Sequence, residues 1–180
     1  IASAVLGFVN PGDEVILFEP YYDSYPAAVA MAGGVARFCP LRFPDFELDA
    51  DELTALVNDR TRLLILNSPH NPSGKVFSRD ELEVIADLAR RRDLLVLSDE
   101  VYEHLTFDGA EHVPIATLPG MRDRTLTVSS AGKTYSFTGW KIGWACRSKP
   151  IIAAVQAAHQ YVTVATSTPV QVGLARAMLE

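Results

Sequence analysis

The sequence predicts an α/β domain built on a largely parallel sheet, and three observations carry that expectation. Short apolar runs of strand length alternate with longer amphipathic runs of helical period. No linker, repeat or low-complexity segment interrupts them. The chain has 180 residues, 48% of them hydrophobic, which is the size and apolar content of one domain with a sizeable core.

The elements follow in order. Residues 1–9 read as the later part of a helix, with no basic residues ahead of the apolar run that would make it a signal peptide. A strand is expected over 15–19, then a helix over 24–32 that stops at Gly33-Gly34. Strand 35–41 leads to helix 50–57, introduced by Asp49 ahead of Asp51-Glu52-Leu53. Strand 62–67 precedes the best-marked helix, 79–92. There Ser78 and Glu81 form a capping box before Leu82, Ile85 and Leu88, and Arg90-Arg91-Arg92 closes the helix where cations favour its dipole. Strands are expected over 94–98, 125–128 and 142–146, and helices over 150–164 and 169–179. The chain starts on Ile1 rather than Met and stops at Glu180 without a cap, so it reads as part of a larger protein.

Bulk properties exclude several functions. A net charge of −6 with scattered Lys and Arg argues against a nucleic-acid surface. Cys39 and Cys146 are far apart, so neither a disulfide framework nor a zinc site is indicated, and a reducing cytoplasm fits. The longest apolar stretches are too short to span a membrane. The four histidines lack metal-ligand spacing: His70, as a neighbour of Asn71, is expected to line the site, while His104, His112 and His159 are expected at the surface.

The most informative run is Ser129-Ser130-Ala131-Gly132-Lys133-Thr134-Tyr135, followed by Thr138-Gly139-Trp140-Lys141-Ile142-Gly143-Trp144. It sets a lysine just past an apolar strand, in a turn of small residues. There the amine can be held rigid and partly desolvated, which lowers its pKa and frees it to attack a carbonyl. A phosphate-binding P-loop is the first rival, but Thr127 stands where that pattern needs glycine. A solvated surface lysine is the second. The run resembles the cofactor-lysine segment of the class I/II aminotransferases, fold-type I enzymes that use pyridoxal 5'-phosphate (PLP), and on that resemblance Lys133 is the Schiff-base lysine.

Other segments match the family in order. Asp99, ending the apolar run 94–97, would otherwise be a helix cap or an ion-pair partner; with Lys133 it resembles the carboxylate that faces the pyridine nitrogen and keeps the ring an electron sink. Glu100 should point away by strand alternation. Asn67-Ser68-Pro69-His70-Asn71-Pro72-Ser73-Gly74 is on its face a Pro/Gly turn, and it resembles the Asn-Pro-x-Gly loop. The resemblance gives Asn71 and Tyr102 the phenolic oxygen of the ring and Asn67 a substrate contact. Tyr22, otherwise a core tyrosine, aligns with the aromatic residue stacked on the ring, and Ser130 and Lys141 match phosphate ligands. Many relatives carry Arg at Lys141, and Lys keeps the charge without the fork.

The resemblance covers essentially the whole chain and is nearest to the kynurenine, methionine and N-succinyldiaminopimelate aminotransferase branch. It implies a three-layer α/β/α sandwich with a mostly parallel mixed sheet. Residues 1–180 would be a partial PLP-binding large domain, lacking an N-terminal segment and a small C-terminal domain. It further implies transfer of an amino group from an amino acid to a 2-oxo acid, in a homodimer. A PLP-dependent C–S β-lyase would use the same residues, and the aminotransferase-like sensor domain of a transcription regulator would share the fold. In aspartate aminotransferase-like relatives the bonds matching Glu19-Pro20 and Asn71-Pro72 are cis, and the same is expected here.

Overall fold

The computed structural model describes residues 1–147 and 149–179. Seven strands form one sheet: β1 (Glu14–Glu19), β2 (Val35–Arg42), β3 (Glu47–Leu48), β4 (Thr61–Asn67), β5 (Leu95–Asp99), β6 (Thr125–Ser130) and β7 (Gly143–Cys146). Their spatial order is β3-β2-β1-β4-β5-β6-β7. The five central strands are parallel, and β3 and β7 run antiparallel at the two edges. The sheet is therefore the mostly parallel mixed one expected.

Alternation along the strands builds two cores. Ile16, Phe18, Leu64, Leu66 and Val96 face one side, where α3 (Ala50–Leu56) and α4 (Arg79–Arg91) cover them with Leu53, Leu82, Ile85 and Leu88. Val15, Leu17, Leu63, Ile65 and Leu97 face the other side and meet Val5 of α1 (Ala2–Phe8) and Ala28 and Val29 of α2 (Ser24–Met31). Helix α6 (Lys149–Val162) packs outside α1, so closely that a Cβ on Gly7 would lie 2.8 Å from the Ala154 carbonyl oxygen. Each buried Leu or Ile in these layers contributes roughly 2 kcal/mol. Three layers result.

The start signals work as expected. The Ser78 hydroxyl accepts from the Glu81 N–H while the Glu81 carboxylate accepts from the Ser78 N–H. Asp49 accepts from the amides of Asp51 and Glu52. Gly33 ends α2 with φ +73°, a left-handed conformation that glycine adopts without steric cost. Arg90 and Arg91 pair with Asp87 one turn back, and Arg90 also donates to the Pro119 carbonyl at 2.7 Å. The basic cluster is structural.

Element bounds shift by a residue or two from the sequence expectation, β6 for example running on to Ser130, and three details bear on the sheet and the site. Strand β5 starts and ends one residue later, so Asp99 is its last residue rather than the first of a loop. The two-residue β3 is too short to show any alternation. The turn expected at Lys133 is a single helical turn, α5 (Ala131–Thr134), because the Ser130 hydroxyl caps the Gly132 amide at 3.0 Å.

Strand order reverses between β1 and β4. Open α/β sheets bind ligands at such a switch point, outside the carboxyl ends of the strands. Pairing places Asn67, Asp99 and Val128 side by side on that edge.

Candidate active site at the carboxyl edge of the sheet

A cleft of about 710 Å³ opens on this edge. Its lining includes Tyr22, Asn67, Asn71, Asp99, Tyr102, Ser130, Lys133 and Lys141, which are all the residues singled out from the sequence. Each arrives from the end of a strand: Tyr22 after β1, Asn67 and Asn71 from β4, Asp99 and Tyr102 from β5, Ser130 and Lys133 from β6. Lys141 precedes β7 in a left-handed conformation, φ +55°. A volume of this size suits a small organic ligand.

Asp99 is the electrostatic centre. It is 9% exposed, and Tyr25 donates its hydroxyl to Oδ2 at 2.9 Å while the Val101 N–H donates to Oδ1 at 3.2 Å. Burial pushes its pKa up, opposed by the Tyr25 hydrogen bond and the Val101 amide. No Lys or Arg side chain among the described residues forms an ion pair with it. A buried carboxylate without such a partner is costly, and a cationic ligand group would relieve that cost.

Asn67 is a brace as well as a lining residue. Its Nδ2 donates to the Asp99 carbonyl at 2.9 Å, and its Oδ1 accepts the Asn71 N–H at 2.7 Å. The amide thus ties the two loops together, and one N–H of Nδ2 is left for any ligand. The Glu19-Pro20 and Asn71-Pro72 bonds are cis, as expected, and so are Phe43-Pro44 and Ser68-Pro69.

Lys133 lies with Nζ 5.6 Å from the centroid of the Tyr102 ring. It is exposed rather than partly desolvated. Tyr22 is 46% exposed and meets Tyr25 edge-on at 5.6 Å, leaving ring surface toward the cleft. The Ser130 hydroxyl donates to the Ile142 carbonyl at 3.0 Å, so its capping role and its place in the cleft coincide.

The structure corrects the histidines. His70 does not line the cleft. It is buried against Phe77 with Nδ1 2.7 Å from the Ser73 hydroxyl, and burial followed by repulsion from Lys75 lowers its pKa to about 4. His112 is not a surface residue: its side chain pairs with buried Glu100 at 3.2 Å. Glu100 also accepts from Ser98 at 2.8 Å, on the face opposite Asp99 as alternation requires. His159 lines the cleft from α6, 3.3 Å from the Ser3 hydroxyl. Tyr25 was missed altogether. Its signal was the three-residue spacing from Tyr22, one helical turn along the start of α2.

Comparison with known proteins bears on this geometry. The family model for aminotransferase class I and II matches residues 1–180. The chain belongs to this family. It is 54% identical to a probable N-succinyldiaminopimelate aminotransferase DapC of Mycobacterium tuberculosis, over 99% of this chain and 45% of that protein. It is 45% identical to a kynurenine–oxoglutarate transaminase of Dictyostelium discoideum, over 98% of this chain and 44% of that one. The solved structure of the M. tuberculosis N-succinyldiaminopimelate aminotransferase superposes with a TM-score of 0.95, covering 98% of this chain and 46% of that one. A methionine aminotransferase from Escherichia coli superposes with a TM-score of 0.94 at 42% identity, covering 97% and 46%. The chain thus spans about half the length of the curated relatives it matches.

Proposed function

We propose that the protein to which these residues belong is a PLP-dependent aminotransferase, moving an amino group from an amino acid to a 2-oxo acid. One observation carries the reading: an amine, a carboxylate buried without a Lys or Arg partner among the described residues, and amide and phenol donors meet in one cleft. The residues fit the cofactor chemically. Lys133 would hold its carbonyl carbon through Nζ, and Lys141 and Ser130 its phosphate. Asn71 and Tyr102 would donate to its phenolic oxygen. Asp99 would face its ring nitrogen, and Tyr22 would lie along the ring.

When bound, the cofactor supplies the electron sink that a breaking Cα–H bond needs. This chain supplies the rest. Nζ of Lys133, once displaced by substrate, is the base that takes the Cα proton and returns it. Its exposed position leaves it room to swing. Asp99, fixed by the Tyr25 hydroxyl, would face the ring nitrogen and favour its protonated form.

Finer features belong to the same proposal. Residues 1–180 would form part of the PLP-binding large domain. A homodimer belongs to the same proposal, on the strength of the family alone. A cytoplasmic location is supported by two free thiols. No helix among the described residues is long and apolar enough to cross a membrane.

The test is a panel of amino donors offered to full-length protein with PLP and a 2-oxo acid. The panel includes N-succinyldiaminopimelate, kynurenine and methionine, which the names of the relatives suggest. Stoichiometric appearance of a new amino acid and a new 2-oxo acid is expected. Release of pyruvate with a thiol from cysteine conjugates, and no amino transfer, would make it a lyase instead.

A further inference from the structure

We propose that Tyr25 is a positioning residue: its hydroxyl fixes Asp99 in the rotamer that faces the cleft and leaves the carboxylate's charge available to a ligand cation. This rests on the PLP reading above.

Two neutral donors, Tyr25 Oη and the Val101 amide, fix Asp99, each at a different oxygen. A bidentate arginine would fix the carboxylate as firmly, but it would also neutralise the charge the site needs. A neutral hydroxyl orients without neutralising. The donor is itself held. Tyr25 is 4% exposed, wedged among Ala28, Val29 and Leu17 of the core, and its N–H bonds the Tyr22 carbonyl at 3.1 Å. Burial, and then the Asp99 charge, push its pKa far up, so the phenol stays a donor at every physiological pH.

The same side chain serves the cleft a second way. Its ring meets Tyr22 edge-on, so one residue sets both the carboxylate and the aromatic wall. The other charged or titratable groups around Asp99 are Glu100, which repels it, and Tyr22, Tyr102, Lys133, Lys141 and His159 in the lining of the cleft. None of these is hydrogen-bonded to its carboxylate among the described residues.

The test is a double-mutant cycle on cofactor affinity in the full-length protein, using Tyr25→Phe, Asp99→Asn and the pair. If the tyrosine acts through Asp99, Tyr25→Phe weakens PLP binding roughly tenfold, the value of a hydrogen bond to a charged group. In the Asp99→Asn background it should cost less than about twofold. The melting temperature without cofactor is read in parallel, since a purely structural role would lower it equally in both backgrounds. Equal losses of affinity in both backgrounds, or no loss in either, would overturn the proposal. Should Tyr25→Phe fail to fold, 3-fluorotyrosine at position 25 keeps the shape and makes a stronger donor. A shifted pH midpoint of the bound cofactor's absorbance then supports the role, and an unmoved midpoint contradicts it. If the parent protein binds no PLP, the functional reading fails first, and that outcome is distinct from all of these.

Discussion

Two buried carboxylates sit at opposite edges of one sheet and are treated in opposite ways. At the amino edge Glu14, 1% exposed, is saturated: Arg60 at 2.6 Å, Arg37 at 3.2 Å and the Asn58 amide at 2.8 Å all reach it. The Asn58 hydrogen bond, with the two arginines, holds its pKa below the ordinary carboxylate range against the effect of burial. At the carboxyl edge Asp99 has two neutral donors and, among the described residues, no Lys or Arg partner, and burial pushes it the other way. The sheet is the same and both carboxylates are buried. Glu14 spends its charge on the fold, whereas Asp99 keeps its charge for a ligand. The contrast separates a structural carboxylate from a functional one more sharply than burial or residue type does.

Four substitutions probe that contrast, from the largest effect down. Lys133→Ala removes the amine that gives Asp99 its context. Amino transfer by the full-length protein should fall at least about a thousandfold, within the range that proton-transfer catalysis alone can supply. Single-turnover rates check it, and near-parental turnover would show that the cleft works without its lysine.

Asp99→Asn should leave PLP able to bind but cut turnover on the order of a hundredfold, the scale of one preorganised electrostatic contact. The cofactor-free protein should be no less stable, since an unrelieved buried charge disappears. Thermal melting and steady-state kinetics together decide it; a large drop in melting temperature would place Asp99 with Glu14 among the structural carboxylates.

Glu14→Gln should do the reverse. It loses charged hydrogen bonds worth about 1.5–3 kcal/mol of stability and leaves cofactor affinity unchanged. Its pH signature follows from the direction of the shift. A depressed folded pKa gives stability that is present above the unfolded value of about 4 and lost as pH falls below it. The substitution should flatten that acid limb. For Asp99 the folded pKa is raised, so its penalty sets in as pH climbs from about 4 through the folded value, and Asp99→Asn should flatten that rise instead. Denaturant unfolding at several pH values reads both slopes.

Ser78→Ala is the smallest of the four. Losing one half of the capping box should cost about 1 kcal/mol, with no effect on the cleft, since α4 packs beneath the sheet. A changed cofactor affinity in this variant would mean that the α4 layer and the site are coupled.

Much of this was legible in the sequence because it is local. Strand ends, the Ser78 capping box and the Asp49 cap are written in neighbouring residues, and the cleft follows because Tyr22, Asn71, Asp99 and Lys133 each stand just past an apolar run. What was not legible is made by distant partners. Tyr25 reaches Asp99 across 74 positions of sequence, and Arg60 reaches Glu14 across 46. His112 looked like a loop histidine until the chain brought it against Glu100. The capped helical turn of α5 is one that four small and polar residues do not announce. Periodicity gives the scaffold. Whether a buried charge is paired is settled only by tertiary structure.

The central claim is that the Asp99 cleft is a cofactor site served by one lysine. Full-length protein incubated with PLP, reduced with borohydride and digested would locate the attachment by mass spectrometry. The account predicts a single added cofactor mass on the peptide carrying Lys133, lost in Lys133→Ala. Attachment at Lys75, Lys141 or Lys149 instead, or no attachment at all, would contradict it.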